Sequence, residues 1–194
     1  MKTFLAIFAA AAMGVALFGQ SRVYEYSTNA PRSEKFTLAV DGKDCLVYPT
    51  PAGDIAPFDI LGKATLRIDY FEDVKEAVVR PLSKKIEAKK TGSRTVELSL
   101  GEPCNISLEI NGRKHPLFIF ANPPAKNPDK KKSQMIFKAG EIYDVGLMKK
   151  IDSDTSVVVE GGAIVYGTES ACRSAVEAFA EGVEYCAFHP MDIE

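Results

Sequence analysis

The sequence predicts a mainly β protein, an antiparallel two-sheet sandwich followed by short parallel strands stacked as a solenoid and then a short helical tail. Three observations lead there. From Phe36 to Phe120 short runs alternate apolar and polar residues between turn-forming dipeptides. Residues 121–133 break that pattern with three prolines and four lysines and carry no large apolar side chain. From Met135 to Gly167 brief β-branched runs are divided by Gly and Asp. The expected organisation is an export signal over 1–19, the sandwich over 23–122, a linker over 123–133, the start of the solenoid over 134–168 and an atypical, partly helical tail over 169–194.

The chain opens on Met1-Lys2-Thr3, a short positive start, and residues 4–18 then run without a charge through Leu5, Ile7, Phe8, Met13, Val15 and Leu17. Such a run of about fifteen apolar residues is shorter than the roughly 20 that a membrane-crossing helix needs. Gly14, Ala16 and Gly19 supply small residues where a signal peptidase cuts, so the mature chain is expected to begin near Gln20. The competing reading is a retained anchor. Cleavage implies a secreted or periplasmic protein with no membrane attachment afterwards, and removal of the signal leaves about 175 residues, enough for one ordinary domain or slightly more.

The strands follow in order. Phe36-Thr37-Leu38-Ala39-Val40 alternates and meets Asp41-Gly42, a hairpin signal, after which Cys45-Leu46-Val47-Tyr48 is expected to return. Residues 49–62 hold three prolines and two glycines and are expected to form a loop. Ala64 to Tyr70 alternates strictly, with Ala64, Leu66, Ile68 and Tyr70 on one face. Val74–Leu82, Thr95–Leu100 and Asn105–Ile110 are the next candidates, and Asn111-Gly112 is a strong two-residue turn. Leu117-Phe118-Ile119-Phe120 has no polar residue and is expected to be a strand buried on both faces. About eight strands in so short a span argue for two packed sheets. In the tail, Ala171, Ala175, Val176, Ala178 and Phe179 can line one side of a helix that Gly182 ends.

Charge and composition exclude several functions. The net charge is −2, and the basic runs Lys84-Lys85, Lys89-Lys90 and Lys130-Lys131-Lys132 sit in polar stretches, so no nucleic-acid partner is expected. Cys45, Cys104, Cys172 and Cys186 allow three disulfide connectivities in an oxidising compartment, and the sequence does not choose among them. Cys45 and Cys104 lie in apolar runs, where a buried free thiol is the commoner outcome. No Cys-x-x-Cys or Cys/His cluster occurs, and His115 and His189 have no such neighbour, so neither a metal site nor a cofactor is expected.

Phe137-Lys138-Ala139-Gly140 to Tyr143-Asp144-Val145-Gly146, followed by Val157-Val158-Val159-Glu160-Gly161-Gly162-Ala163-Ile164-Val165-Tyr166-Gly167, resembles the opening of a right-handed parallel β-helix. The similarity is to pectin-lyase-fold glycoside hydrolases of the polygalacturonase-like family 28 and the dextranase- and isopullulanase-like family 49. Leu117 to Pro123 resembles the end of the β-sandwich that precedes the helix in many of them, so the resemblance spans about Phe36 to Thr168. In this reading Gly161-Gly162 turns a sharp corner and Ala163 fits the narrow interior between coils stacked about 4.8 Å apart. The resemblance implies a polysaccharide partner. It also places catalytic aspartates several coils further on, in N-x-D, D-D and G-H-G motifs, and none of these follows Gly167 here. No catalytic, cofactor-binding or metal-binding residue is therefore assigned, and a truncated or frame-shifted reading frame after about Thr168 is expected.

Three functions stay open. The chain is the non-catalytic leading part of a secreted polysaccharide hydrolase, a stand-alone carbohydrate-binding sandwich, or an envelope structural protein. Tyr24, Tyr26, Tyr48, Tyr70 and Phe71 are the rings a sugar could stack on, although scattered Tyr and Phe are more often core or edge residues and tryptophan is absent. Asp152 and Asp154 read as turn residues before a strand, Asn105-Ile106-Ser107 as a chance sequon within a strand, and His115 as a surface residue. A first coil also exposes an apolar interior, so residues 135–167 should pack on the sandwich, be marginally ordered or promote aggregation.

Overall fold

The computed structural model describes residues 21–125, 133–146 and 155–167. The expected export signal, Asp152, Asp154, Cys172, Cys186, His189, the tail expected to be helical and most of the expected linker lie outside the described residues.

Among the described residues the chain is mainly β and builds several sheets. The strands are β1 Arg22–Val23, β2 Phe36–Val40, β3 Lys43–Cys45, β4 Asp54–Asp59, β5 Ala64–Tyr70, β6 Ala77–Arg80, β7 Lys89–Lys90, β8 Thr95–Leu100, β9 Cys104–Ile110, β10 Leu117–Asn122, β11 Ser133–Phe137, β12 Ile142–Asp144, β13 Thr155–Val159 and β14 Ile164–Tyr166. One five-stranded sheet runs β1-β4-β10-β9-β6 and the other β3-β2-β5-β8-β7. Every pairing in them is antiparallel except β4 with β10, which is parallel from Asp54↔Leu117 to Asp59↔Asn122.

Period-two alternation explains the core. Leu38, Val40, Leu66, Ile68, Val96 and Leu98 from one sheet meet Ala56, Phe58, Ile106, Leu108, Leu117 and Ile119 from the other in a single buried cluster. Leu66, Ile68, Leu108 and Ile119 are fully buried. Each such side chain contributes about 1.5–3 kcal/mol through the apolar surface it removes from water. Cys45 and Cys104 are buried free thiols.

The Asp41-Gly42 turn forms as expected. Both residues take positive φ, 49° and 80°, the primed geometry whose twist matches the strands it joins, and Val40 pairs with Lys43 across it. Four expectations fail. The returning strand β3 starts earlier, at Lys43, and Leu46 to Tyr48 leave the sheet, with Tyr48 bridging to Ile55 instead. The proline-rich stretch 49–62 is not all loop, because it contains β4, the parallel partner of β10. Pro57 fits there because β1 pairs only with Phe58 and Asp59, leaving the edge open beside the proline. Asn111-Gly112 does not make a two-residue hairpin: Leu108 pairs with Leu117, Glu109 and Ile110 continue β9 on its β6 side, and residues 111–116 form a longer turn. Asn111 instead accepts amide protons from Lys75 and Glu76 on its side-chain oxygen and donates to the Asp73 carbonyl, fastening the approach to β6. Leu117–Phe120 is buried on one face; Phe118 and Phe120 on the other are half-buried.

Beyond residue 132 the pairing changes character. β11 and β13 pair in parallel, as do β12 and β14, and in both ladders each residue meets the one 22 positions later: Ser133 with Thr155, Ile142 with Ile164. This unit packs on the sheets, the first of the three expected outcomes. Ile164, with Ile142 and Tyr166 beside it, joins Ala30, Leu46 and Tyr48 in a second apolar cluster, and the Tyr48 and Tyr166 hydroxyls lie 3.0 Å apart.

The glycine corner explains the docking more fully than turning alone. Gly162 does hold a positive φ of 104°, but Gly161 does not. A Cβ on Gly161 would overlap the Tyr24 ring, and one on Gly162 would overlap the Glu25 carbonyl oxygen. Both glycines therefore let the 24–25 backbone lie against the corner.

Leu66→Ala is expected to cost about 2–5 kcal/mol of unfolding free energy, measured by urea denaturation. Gly162→Ala should act differently: hydrogen exchange should rise in β12 and β14 while the amides of β5 and β8 keep their protection. Unchanged exchange in β12 and β14 would contradict the role given to the corner.

Candidate functional site

The same alternation that fills the core leaves a second face on β1, β4 and β10. Ala56 and Phe58 point inward, so Ile55, Pro57 and Asp59 point outward, and on β10 Phe118, Phe120 and Asn122 do likewise. Val23 packs against the core and Arg22 sits opposite Asp59. The Val159–Ala163 corner covers part of this outer face.

Between them lies a partly open cavity of about 150 Å³, bordered by Arg22, Tyr24, Tyr26, Ile55, Pro57, Asp59, Phe120, Ala125 and residues 159–163. The Tyr24 hydroxyl donates to Asp59 Oδ1. Asp59 is buried, and burial pushes its carboxyl above the usual range, although the Tyr24 hydrogen bond and the Arg22 charge pull the other way. Burial likewise pushes the Tyr24 phenol up, with the Asp59 hydrogen bond and charge adding to it. Tyr26 is pushed up mainly by burial and meets Tyr24 edge to face at 6.4 Å.

Asn122 lies behind this lining and does not border the cavity. It pairs in register with Asp59, is 1% exposed, and its backbone carbonyl accepts the Ile60 amide at 2.7 Å. Its side-chain amide lies beside the Tyr24 hydroxyl, whose pKa it pulls down, and among the described residues neither Oδ1 nor Nδ2 reaches full hydrogen-bond geometry. A buried amide with both groups unmet is uncommon. The second carboxyl on the cavity, Glu160, accepts the Ala139 amide on Oε2 at 3.0 Å. The site thus offers hydrogen-bond donors and acceptors between aromatic walls.

The other residues singled out from sequence separate. Tyr24 and Tyr26 line the cavity, Tyr48 is buried at the docking surface, and Tyr70 stacks at an angle between Phe36, 5.0 Å away, and Phe71, 4.6 Å away. Of these five rings only Phe71 is largely exposed, at 43%. Burial pushes the Cys45 thiol up to about 12, Asp44 adding and Arg32 opposing. His115 is not an isolated surface residue. Its Nε2 lies 2.8 Å from Oδ1 of buried Asp54, whose Oδ2 accepts the Ser33 hydroxyl. The carboxylate stands between Ser33 and His115, so the three do not form a serine–histidine relay. Asp59 and Asn122 were missed in the sequence. Asp59 falls in a stretch taken for loop, and Asn122 beside a proline pair taken for linker.

The two five-stranded sheets and the two parallel ladders together define a mainly β fold. Among solved structures, Dex49A from Penicillium minioluteum is similar to this chain, with a TM-score of 0.51 and 13% identity over 75% of this chain and 45% of that one. This chain thus spans under half of that protein's length, and at this identity the likeness is one of fold. No family model and no curated protein matches the sequence.

Because the Asp59 pKa is raised in the folded state, the folded chain binds more protons than the unfolded one, and this residue's contribution to stability falls as pH rises above about 3.8. Asp59→Asn, which keeps an acceptor for Tyr24, should be at least as stable as the parent at pH 7. The difference should vanish as the pH is lowered toward 4, read from thermal midpoints across pH. A variant destabilised at pH 7 but not at pH 4 would show the opposite sign.

Proposed function

We propose that this chain is the N-terminal, non-catalytic portion of a secreted polysaccharide-degrading glycoside hydrolase of the polygalacturonase- or dextranase-like kind. In this reading the two five-stranded sheets form a β-sandwich and residues 133–167 form the first coil of a right-handed parallel β-helix. The observation that carries it is the constant 22-residue step shared by the β11–β13 and β12–β14 ladders, which is what successive turns of a solenoid give. The fold likeness to Dex49A supports the same reading. Glycoside cleavage needs two carboxyl groups about 5–10 Å apart across the bond, one serving as acid. Those aspartates are expected on later coils, with this portion presenting the sandwich and the docked first turn.

A second reading, a secreted carbohydrate-binding or envelope module acting by itself, is favoured by the aromatic and polar cavity of Tyr24, Tyr26 and Asp59. Retention on insoluble polysaccharide with no further coil-like sequence in the adjoining coding DNA, in any frame, would select it.

The purified chain should release no reducing sugar from dextran, pullulan or polygalacturonate, and release above the no-protein blank would overturn the non-catalytic assignment. Protein recovered from the medium or periplasm should begin near Gln20, as Edman or mass-spectrometric sequencing would show.

A further inference from the structure

The outer face of the sheet that carries β9 and β10 presents to solvent an asparagine that opens a glycosylation triplet. We propose that Asn105 is an acceptor for an N-linked glycan whose first sugar lies over the Phe118 and Phe120 rings. The proposal goes beyond the preceding functional reading and rests on it only for the export of the chain.

Residue chemistry is the first argument. Asn105-Ile106-Ser107 is the sole Asn-x-Ser/Thr triplet in the sequence, and its middle residue is not proline. In the transfer, the Asn105 amide nitrogen forms a bond to the anomeric carbon of a polyprenyl-diphosphate-linked oligosaccharide. The bond from that carbon to the diphosphate oxygen breaks, polyprenyl diphosphate leaves with the electron pair, and the amide gives up one proton. The Ser107 hydroxyl is the group that the transferase recognises beside the amide.

The strand setting counts against the triplet in the sequence, yet it is what keeps the asparagine accessible in the fold. Ile106 is 4% exposed and packs in the core, so alternation turns Asn105 and Ser107 to the outer face. Asn105 is exposed and Ser107 half-buried. The ladder between β6 and β9 stops at Arg80 opposite Ser107, so it sets no residue opposite Asn105 on that side. Two other asparagines are used differently: Asn111 fastens residues 73–76, and Asn122 is buried.

The neighbours on β10 are the third argument. Asn105 stands in register with Phe120 and Ser107 with Phe118. Both rings are half-buried on the outward face of that strand. Directly opposed side chains of an antiparallel pair have Cβ atoms about 4.5–5.5 Å apart. The C–H face of a sugar on Asn105 can therefore rest on the Phe120 ring. A bulky, solvated group then covers apolar surface that the sheet leaves partly open.

The test uses the full chain made in a eukaryotic secretory host, once with its own residues 1–19 and once with a proven leader in their place. Secreted protein should lose one discrete mass step on treatment with peptide N-glycosidase. Peptide mass spectrometry should locate the accompanying Asn105→Asp change. Asn105→Gln and Ser107→Ala should each abolish the step, and Ser107→Thr should retain it. Translation with microsomal membranes reads the same step on any variant that is not secreted. The glycosylated parent should melt at a higher temperature than Asn105→Gln, and the gap should narrow when Phe120→Leu, which removes the ring, is added to both. Secreted protein without the step, a step retained in Ser107→Ala, or a step located at another residue would each overturn the site. A gap that Phe120→Leu leaves unchanged would overturn the placement of the sugar on the ring. Export and glycosylation with the substituted leader alone would sink the export reading and leave the site standing. Export by the chain's own leader without the step would do the reverse.

Discussion

The parallel ladder between β4 and β10 is the constraint on which the rest depends. It places two strands, far apart in sequence, side by side at the heart of one sheet, and it fixes what both faces of that sheet carry. One face supplies Ala56, Phe58, Leu117 and Ile119 to the core. The other sets Asp59 level with Asn122 and leaves Pro57 and Phe120 bordering the cavity. A slip of one residue would exchange the two faces, burying Asp59 and Asn122 in the apolar cluster. The core therefore enforces the register, and the register builds the site.

Docking of residues 133–167 uses the same face. Two glycines remove the side chains that would hold the corner away from Tyr24 and Glu25, and the Ile164–Tyr48 cluster supplies apolar contact beside it. The carboxyl of Asp59 is desolvated as part of this arrangement, and Tyr24 offsets some of the cost by donating to it. Such a polar group is tolerated because the surrounding apolar packing outweighs it.

Much of the fold was legible because alternation and turn chemistry are local. Phe36–Val40, Ala64–Tyr70 and Thr95–Leu100 became strands as their patterns required, and Asp41-Gly42 turned between β2 and β3. The failures share a cause, since each depended on a distant partner. Asp54 to Asp59 reads as loop by its proline, but β10, some sixty residues later, makes it a strand. His115 lacks an acidic neighbour in sequence and finds Asp54 in space. Asn111 carries a hairpin signal, yet its side chain is used to fasten residues 73–76. The cavity was half legible: Tyr24 and Tyr26 were noted as rings, whereas Asp59 and Asn122 gain meaning only through the ladder that sets them together. The glycine pair was read for its bend, and its second use, admitting Tyr24, required knowing what lies opposite.

The cavity's walls come from both units, Arg22, Tyr24 and Asp59 from the sheet side and residues 159–163 from the other. Anything that touches both walls binds the docked arrangement better than the undocked one, and by linkage must favour docking by the same free energy. The converse also holds. A change that loosens the corner, even one distant from the Tyr24 hydroxyl, must weaken a ligand held between the walls. Occupancy of the cavity and attachment of the parallel-strand unit are thus two measures of one equilibrium, set by how closely the chain at Tyr24 and Glu25 can approach Gly161 and Gly162.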